Sequence, residues 1–103
     1  MSNFRIYRNI SKNSKEYPYL INVQSSILSD LNSRLVIPVI KKELLKEKIK
    51  ILNPEITINN EAWIVLTQQM SSISLSILGE EIEDVEMDRS TILSAIDFLI
   101  TGF

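Results

Sequence analysis

The sequence predicts an α+β fold, mostly β, with a compact antiparallel barrel as its core and one terminal helix. Three observations predict it. Short runs of alternating or β-branched residues recur between clusters of turn formers. The clearest helical stripe comes last, after the strands rather than between them. The 103 residues suit one domain, 1–103, with no internal repeat.

Phe4 to Arg8 mixes aromatic, β-branched and basic residues, as a short strand does. Asn9 to Lys15 is polar and rich in turn formers. Pro18 then admits Tyr19-Leu20-Ile21-Asn22-Val23, so the pair reads as a hairpin with a long, mobile loop. A turn cluster at Asp30–Ser33 precedes Leu35-Val36-Ile37-Pro38-Val39, an apolar run typical of a strand buried on both faces. Pro38 lacks an N–H and is expected at an edge or a bulge.

Lys41–Leu52 reads two ways. Leu45, Ile49 and Leu52 follow helical spacing among good helix formers, which predicts a short helix stopped at Asn53-Pro54. Glu55-Ile56-Thr57-Ile58-Asn59 alternates, Asn59-Asn60 turns, and Ala62-Trp63-Ile64-Val65-Leu66 continues, which predicts a second hairpin. Ser74-Leu75-Ser76-Ile77 alternates again and Leu78-Gly79 closes it. Glu80 to Glu86 is acidic and is expected to be an exposed loop. Asp88 is placed to cap a helix in which Ile92, Ile96, Leu99 and Phe103 form a stripe that Leu93 and Ile100 widen. Gly102 is placed to close it in a left-handed conformation.

Composition narrows the function. Apolar residues are 45% and charged residues 23%, as in ordinary globular domains. Net charge is −2, without the basic surplus of a protein that lives on a phosphate backbone, although Lys46, Lys48 and Lys50 form a local basic cluster. Cysteine and histidine are both absent, which excludes disulfides, thiolate chemistry and any Ser-His-Asp or Cys-His arrangement. A zinc site would need carboxylates alone. The first residues lack the apolar run of a signal peptide and no segment reaches the ~20 apolar residues of a membrane span, so the expected compartment is the cytoplasm.

The acidic cluster of Glu80, Glu81, Glu83, Asp84 and Glu86 reads more readily as a solvated surface than as a metal site, because neighbouring strand residues point to opposite faces. Gln68–Ser72 reads as a connection whose Met70 plugs the core, and Trp63 reads as core. Arg34 reads as a structural salt bridge before it reads as a phosphate clamp. The ending Ile100-Thr101-Gly102-Phe103 stands apart. A rigid aromatic beside a glycine is an interface anchor or the last residue of the core stripe.

Several segments together resemble the CcdB toxin family. They are Val23-Gln24-Ser25, Arg34-Leu35-Val36-Ile37-Pro38, Trp63, Met70-Ser71-Ser72, Gly79-Glu80-Glu81 and the ending Ala95 to Phe103. They stand in the family's order and at nearly its spacing, with extra residues in the Asn9–Tyr17 loop. The resemblance implies an SH3-like antiparallel barrel with a small second sheet and a C-terminal helix, and makes Lys41–Leu52 loop and short strand. It implies a homodimeric toxin that is not an enzyme and needs no metal or cofactor. The toxin binds the A subunit of DNA gyrase and traps the cleaved gyrase–DNA complex. A cognate antitoxin neutralises it, and their complex represses the operon, touching operator DNA chiefly through the antitoxin. The implied gyrase-binding residues are Ile27, Leu28, Asp97, Ile100, Thr101, Gly102 and Phe103. Phe4, Ile6, Gln24, Met70 and Leu99 are candidate dimer contacts. Well-known members end in Trp-Gly-Ile. Here Thr101 stands at the Trp position, Phe103 replaces isoleucine, and Asp97 stands where asparagine is usual. Two other readings remain: an mRNA-cleaving toxin of the MazF type using Arg34 with Glu80 or Asp88, and a member that binds antitoxin but no longer poisons gyrase.

Overall fold

The computed structural model describes residues 4–102. Strands β1 (Arg5–Asn9) and β2 (Tyr19–Asn22) pair Ile6 with Ile21 and Tyr7 with Leu20, making the first hairpin. β3 (Ser33–Lys41), β4 (Glu55–Ile58), β5 (Glu61–Val65), β6 (Ser71–Ser74), β7 (Leu78–Asp84) and helix α1 (Arg89–Thr101) follow. The strand order is β4-β5-β3-β2-β1-β7, and β6 adds to β3. The result is a curled antiparallel half-barrel, α+β and mostly β, with one C-terminal helix.

β3 organises the sheet because it is long enough to serve two partners in turn. Its first half pairs with β2 and β6, and its last three residues pair with β5. The small second sheet is therefore β3's end with β5 and β4. Pro38 sits at the handover. Its carbonyl accepts from the Leu66 N–H at 3.0 Å, so its nitrogen faces the same edge, where the 3₁₀ turn Thr67–Gln69 stands in place of a strand. The β4–β5 turn fits its sequence. Asn59 and Asn60 take φ of 51° and 66°, which asparagine tolerates.

Ile6, Ile21, Ile37, Val39, Ile58 and Val65 form the main core, closed by Ile92 of α1. Leu20 and Val36 point the other way and are also buried, as the apolar run predicts. Trp63 is core, meeting the Tyr19 ring edge to face at 5.1 Å. Met70 packs against the same cluster.

Several local expectations are corrected. Lys41–Leu52 is not the helix its spacing suggests but strand end and loop, as the resemblance implies. Lys41 completes β3 opposite Trp63, Lys42–Leu44 makes one 3₁₀ turn, and an open segment runs on to Asn53. A helix of that length is marginal by itself, and the buried Asn53 side chain binds competing partners. It accepts from the Ile49 N–H at 2.9 Å and donates to the Val65 carbonyl at 3.1 Å and to Gln68 Oε1 at 2.6 Å. Leu75–Ile77 is a 3₁₀ turn between β6 and β7 rather than strand. The acidic Glu80–Asp84 run lies in β7, where Glu81 meets Arg5 at 2.9 Å and Glu80 meets Arg8 at 3.9 Å. The Asn9–Tyr17 loop is tied down rather than loose. Asn9 donates to Asn13 Oδ1 at 2.9 Å and to the Tyr17 carbonyl at 2.7 Å. Asp88 holds the N-cap position of α1 without a side-chain cap bond, and partial burial pushes its carboxyl above the ordinary value.

Candidate partner-binding surface

α1 buries one narrow side. Ile92 and Ala95 are inside and Ile96 is half-buried, an i, i+3, i+4 set. The predicted inward stripe therefore ends early. Leu99 is 38% exposed and Ile100 is 72% exposed. Phe103, the predicted end of that stripe and a predicted gyrase contact, lies outside the described residues. Leu93, Asp97 and Ile100 fall at i, i+4, i+7 and share the outward face, all exposed. Gly102 adopts φ 79° and its N–H donates to the Phe98 carbonyl at 2.8 Å, the left-handed closure predicted for it. Thr101 donates its hydroxyl to the Asp97 carbonyl. Asp97, Ile100, Thr101 and Gly102 are thus brought together on the last two turns.

Ile27 and Leu28 lie on the loop between β2 and β3, in the 3₁₀ turn Ser26–Leu28. Ile27 is 85% exposed, and Leu28 and Leu31 are also exposed. Apolar side chains stay outside here because the loop's polar groups are turned inward onto a buried cation. Arg34 is 4% exposed and donates to the carbonyls of Ser29 at 2.9 Å, Ser33 at 2.8 Å and Leu31. It makes no ion pair among the described residues, which corrects the expected salt bridge; carbonyl dipoles take the carboxylate's place. Gln24 braces the other side, accepting from the Leu35 N–H and donating to the carbonyls of Leu28 and Ser33. The loop is a braced platform presenting three apolar side chains.

Of the expected dimer contacts, Phe4 and Ile6 are 1% and 0% exposed inside the protomer's own core and offer a second copy no surface. Gln24 and Met70 are half-buried and Leu99 is exposed. Leu31 and Leu93 are exposed members of the two patches that sequence reasoning did not assign to them. An apolar residue inside the polar Asp30–Ser33 cluster was the available sign for Leu31.

Arg34 and Glu80 are not a site. β2 and β1 stand between β3 and β7, and both terminal nitrogens of the Arg34 guanidinium donate to carbonyls. Among the described residues no group of His, Cys, Asp and Glu is arranged to hold a metal ion, and no helix is long and apolar enough to cross a membrane.

The family model for the CcdB protein matches residues 3–102. The chain belongs to the CcdB family. Membership makes it a toxin of a toxin–antitoxin module. The half-barrel and the single C-terminal helix agree with the fold expected of a CcdB-like toxin, and the match spans both exposed patches.

Proposed function

We propose that this CcdB-family toxin binds the DNA gyrase A subunit and traps the cleaved gyrase–DNA complex. The observation that carries the reading is the outward apolar face of α1, where Ile100 continues the helix beyond the point at which Ile96 meets the core. A side chain of that size, exposed on a well-formed helix end, is an anchor awaiting a pocket. In the proposed assembly two protomers pair about a twofold axis, with Gln24, Met70 and Leu99 among the contacts. Their helix ends enter a cavity between the gyrase A subunits, and Asp97, Ile100, Thr101, Gly102 and Phe103 make the contact, with Ile27 and Leu28 beside them. Tighter binding to the opened state than to the closed one holds gyrase on cut DNA. A cognate antitoxin displaces the toxin, and the toxin–antitoxin complex represses its operon through antitoxin contacts to DNA.

The test is direct. Purified toxin should block gyrase supercoiling and accumulate cleaved, protein-linked DNA. Intact supercoiling with no cleaved complex would sink the reading.

Thr101 favours a second reading, a toxin that binds its antitoxin while holding gyrase weakly. Its hydroxyl is turned back onto α1, and it has no ring to offer. Normal growth on expression without antitoxin in a gyrase-sensitive host would support this reading, and growth arrest would exclude it. The MazF-type reading lacks a phosphate clamp, because Arg34 is buried.

A further inference from the structure

The segment that follows the 3₁₀ turn Lys42–Leu44 has no part in the surfaces described above. Leu44, Ile49 and Ile51 are exposed, and so are Lys46, Lys48 and Lys50 among them. From Lys42 to Ile51 four lysines outnumber two glutamates. Lys46, Lys48 and Lys50 join no ion pair among the described residues. These side chains are held out together because the segment is pinned at its end. Leu52 and Asn53 are buried, and the Asn53 N–H donates to the Ile49 carbonyl at 2.8 Å while its side chain accepts from the Ile49 N–H at 2.9 Å. Little ordering is left for a contact to impose.

A surface of opposite charge lies beside it. β4 and β7 are the two ends of the strand order, and a groove of about 350 Å³ runs between them. Glu55 and Thr57 line one wall, and Glu83, Asp84, Met87 and Asp88 line the other. No lysine or arginine lines it. Glu83, Asp84 and Asp88 join no ion pair among the described residues. Met87 stands at the rim almost wholly in solvent, 98% exposed. Glu55 meets Lys42 at 3.0 Å, so the groove and the lysine segment abut.

We propose that a second copy of this chain docks here, its Lys46–Ile51 segment against the Glu83–Asp88 groove and the reverse. Two adjoining patches of opposite charge are self-complementary about a twofold axis, because each copy's lysines then face the other's carboxylates. The same arrangement sets Ile49 and Ile51 toward Met87, so apolar groups that stand in water are covered. The charges fix the register, and the small surface suits a weak association that salt loosens. This contact is separate from the Gln24, Met70 and Leu99 pairing proposed above, and it holds whether or not the protein poisons gyrase.

The test joins an equal mixture of unlabelled and isotope-labelled full-length copies with a zero-length carbodiimide. Cross-links from Lys46, Lys48 or Lys50 to Glu83, Asp84 or Asp88 should carry mixed labels. Their yield should fall at least about fivefold as salt rises from about 0.01 M to about 1 M, which shortens the Debye length from ~30 Å to ~3 Å. Two charge-reversed proteins give a second readout, Lys48→Glu/Lys50→Glu and Glu83→Lys/Asp84→Lys. Each alone should lose the mixed-label links, and the two combined should regain them. If either does not fold, the links of the unaltered protein and their salt dependence decide. Links confined to one label, or reversed proteins that each link as well as the unaltered one, overturn the proposal. So does polylysine that shields Glu83 and Asp84 from the carbodiimide while no mixed-label link forms, which would assign the groove to a foreign cationic segment.

Discussion

The Thr101 hydroxyl donates a 2.7 Å hydrogen bond to the Asp97 carbonyl, one turn back along α1. The bond holds the side chain against the helix at the position that the proposed function makes a gyrase contact. Thr101→Trp gives up a weak, exposed bond and restores a large apolar surface. Gyrase inhibition should then sharpen at least about tenfold, since a desolvated Trp anchor contributes several kcal/mol. Comparing inhibitory concentrations in a supercoiling assay checks this; equal values would show that the position does not contact gyrase.

Ile100 separates binding from folding. It is exposed, so Ile100→Lys should change stability by no more than about 0.5 kcal/mol. The same change sets a charge where the proposed gyrase contact needs an apolar group. Urea unfolding should be unchanged and gyrase inhibition lost. A variant that still inhibits would move the contact elsewhere.

Arg34 holds the Ser25–Asn32 platform from within. Arg34→Met strips the Ser29 and Leu31 carbonyls of their side-chain donor, leaves Ser33 with Gln24 alone, and should destabilise the fold by about 3 kcal/mol. Amide hydrogen exchange at Leu28 and Leu31 should quicken most, because their turn bonds rest on that brace. Uniform protection across the loop would contradict the brace.

Asn53 braces the segment before it against β5. Asn53→Ala leaves the Ile49 N–H and the Val65 carbonyl without its side-chain bonds. A loss of about 2–3 kcal/mol is expected in chemical denaturation. Circular dichroism of the variant should show no added helix, because β3 and β5 still pair through Lys41 and Trp63.

Tyr7 makes the fold sensitive to alkali. Burial first, and then the Glu81 carboxylate that accepts from its hydroxyl at 3.2 Å, push the phenol from 10.0 up to about 12. The folded state therefore keeps a proton that the unfolded chain releases. That contribution is fully present below pH ~10 and is lost as pH rises toward ~12. Denaturation midpoints should fall across that window, and Tyr7→Phe should flatten the fall.

Much of this architecture was legible in local pattern. Alternation located both hairpins, and Asn59-Asn60 marked its turn because asparagine tolerates positive φ. Gly102 announced the end of α1 for the same backbone reason. Leu35–Val39 read as a strand buried on both faces, which it is. Periodicity misled at Lys41–Leu52, where a helical pattern competes with a strand partner and with an asparagine that lies in another part of the fold. The acidic Glu80–Asp84 run read as loop because charge suggests solvent, whereas an edge strand satisfies both.

The exposed tail of α1 divides the two kinds of knowledge most clearly. The sequence by itself determined that an apolar helix ends in a glycine at Gly102, and its ordered motifs determined the family. Spacing alone placed Leu99 and Ile100 on the core stripe as readily as on a binding face. Only the tertiary structure decided that the core closes at Ile96 and leaves Ile100 in solvent. It also decided that Arg34 serves carbonyls rather than a carboxylate, and that Phe4 and Ile6 belong to the protomer's interior. The physical reason is common to all of these. Side-chain period records which residues share a face, but burial depends on how far the facing element reaches, and that is set by contacts distant in sequence.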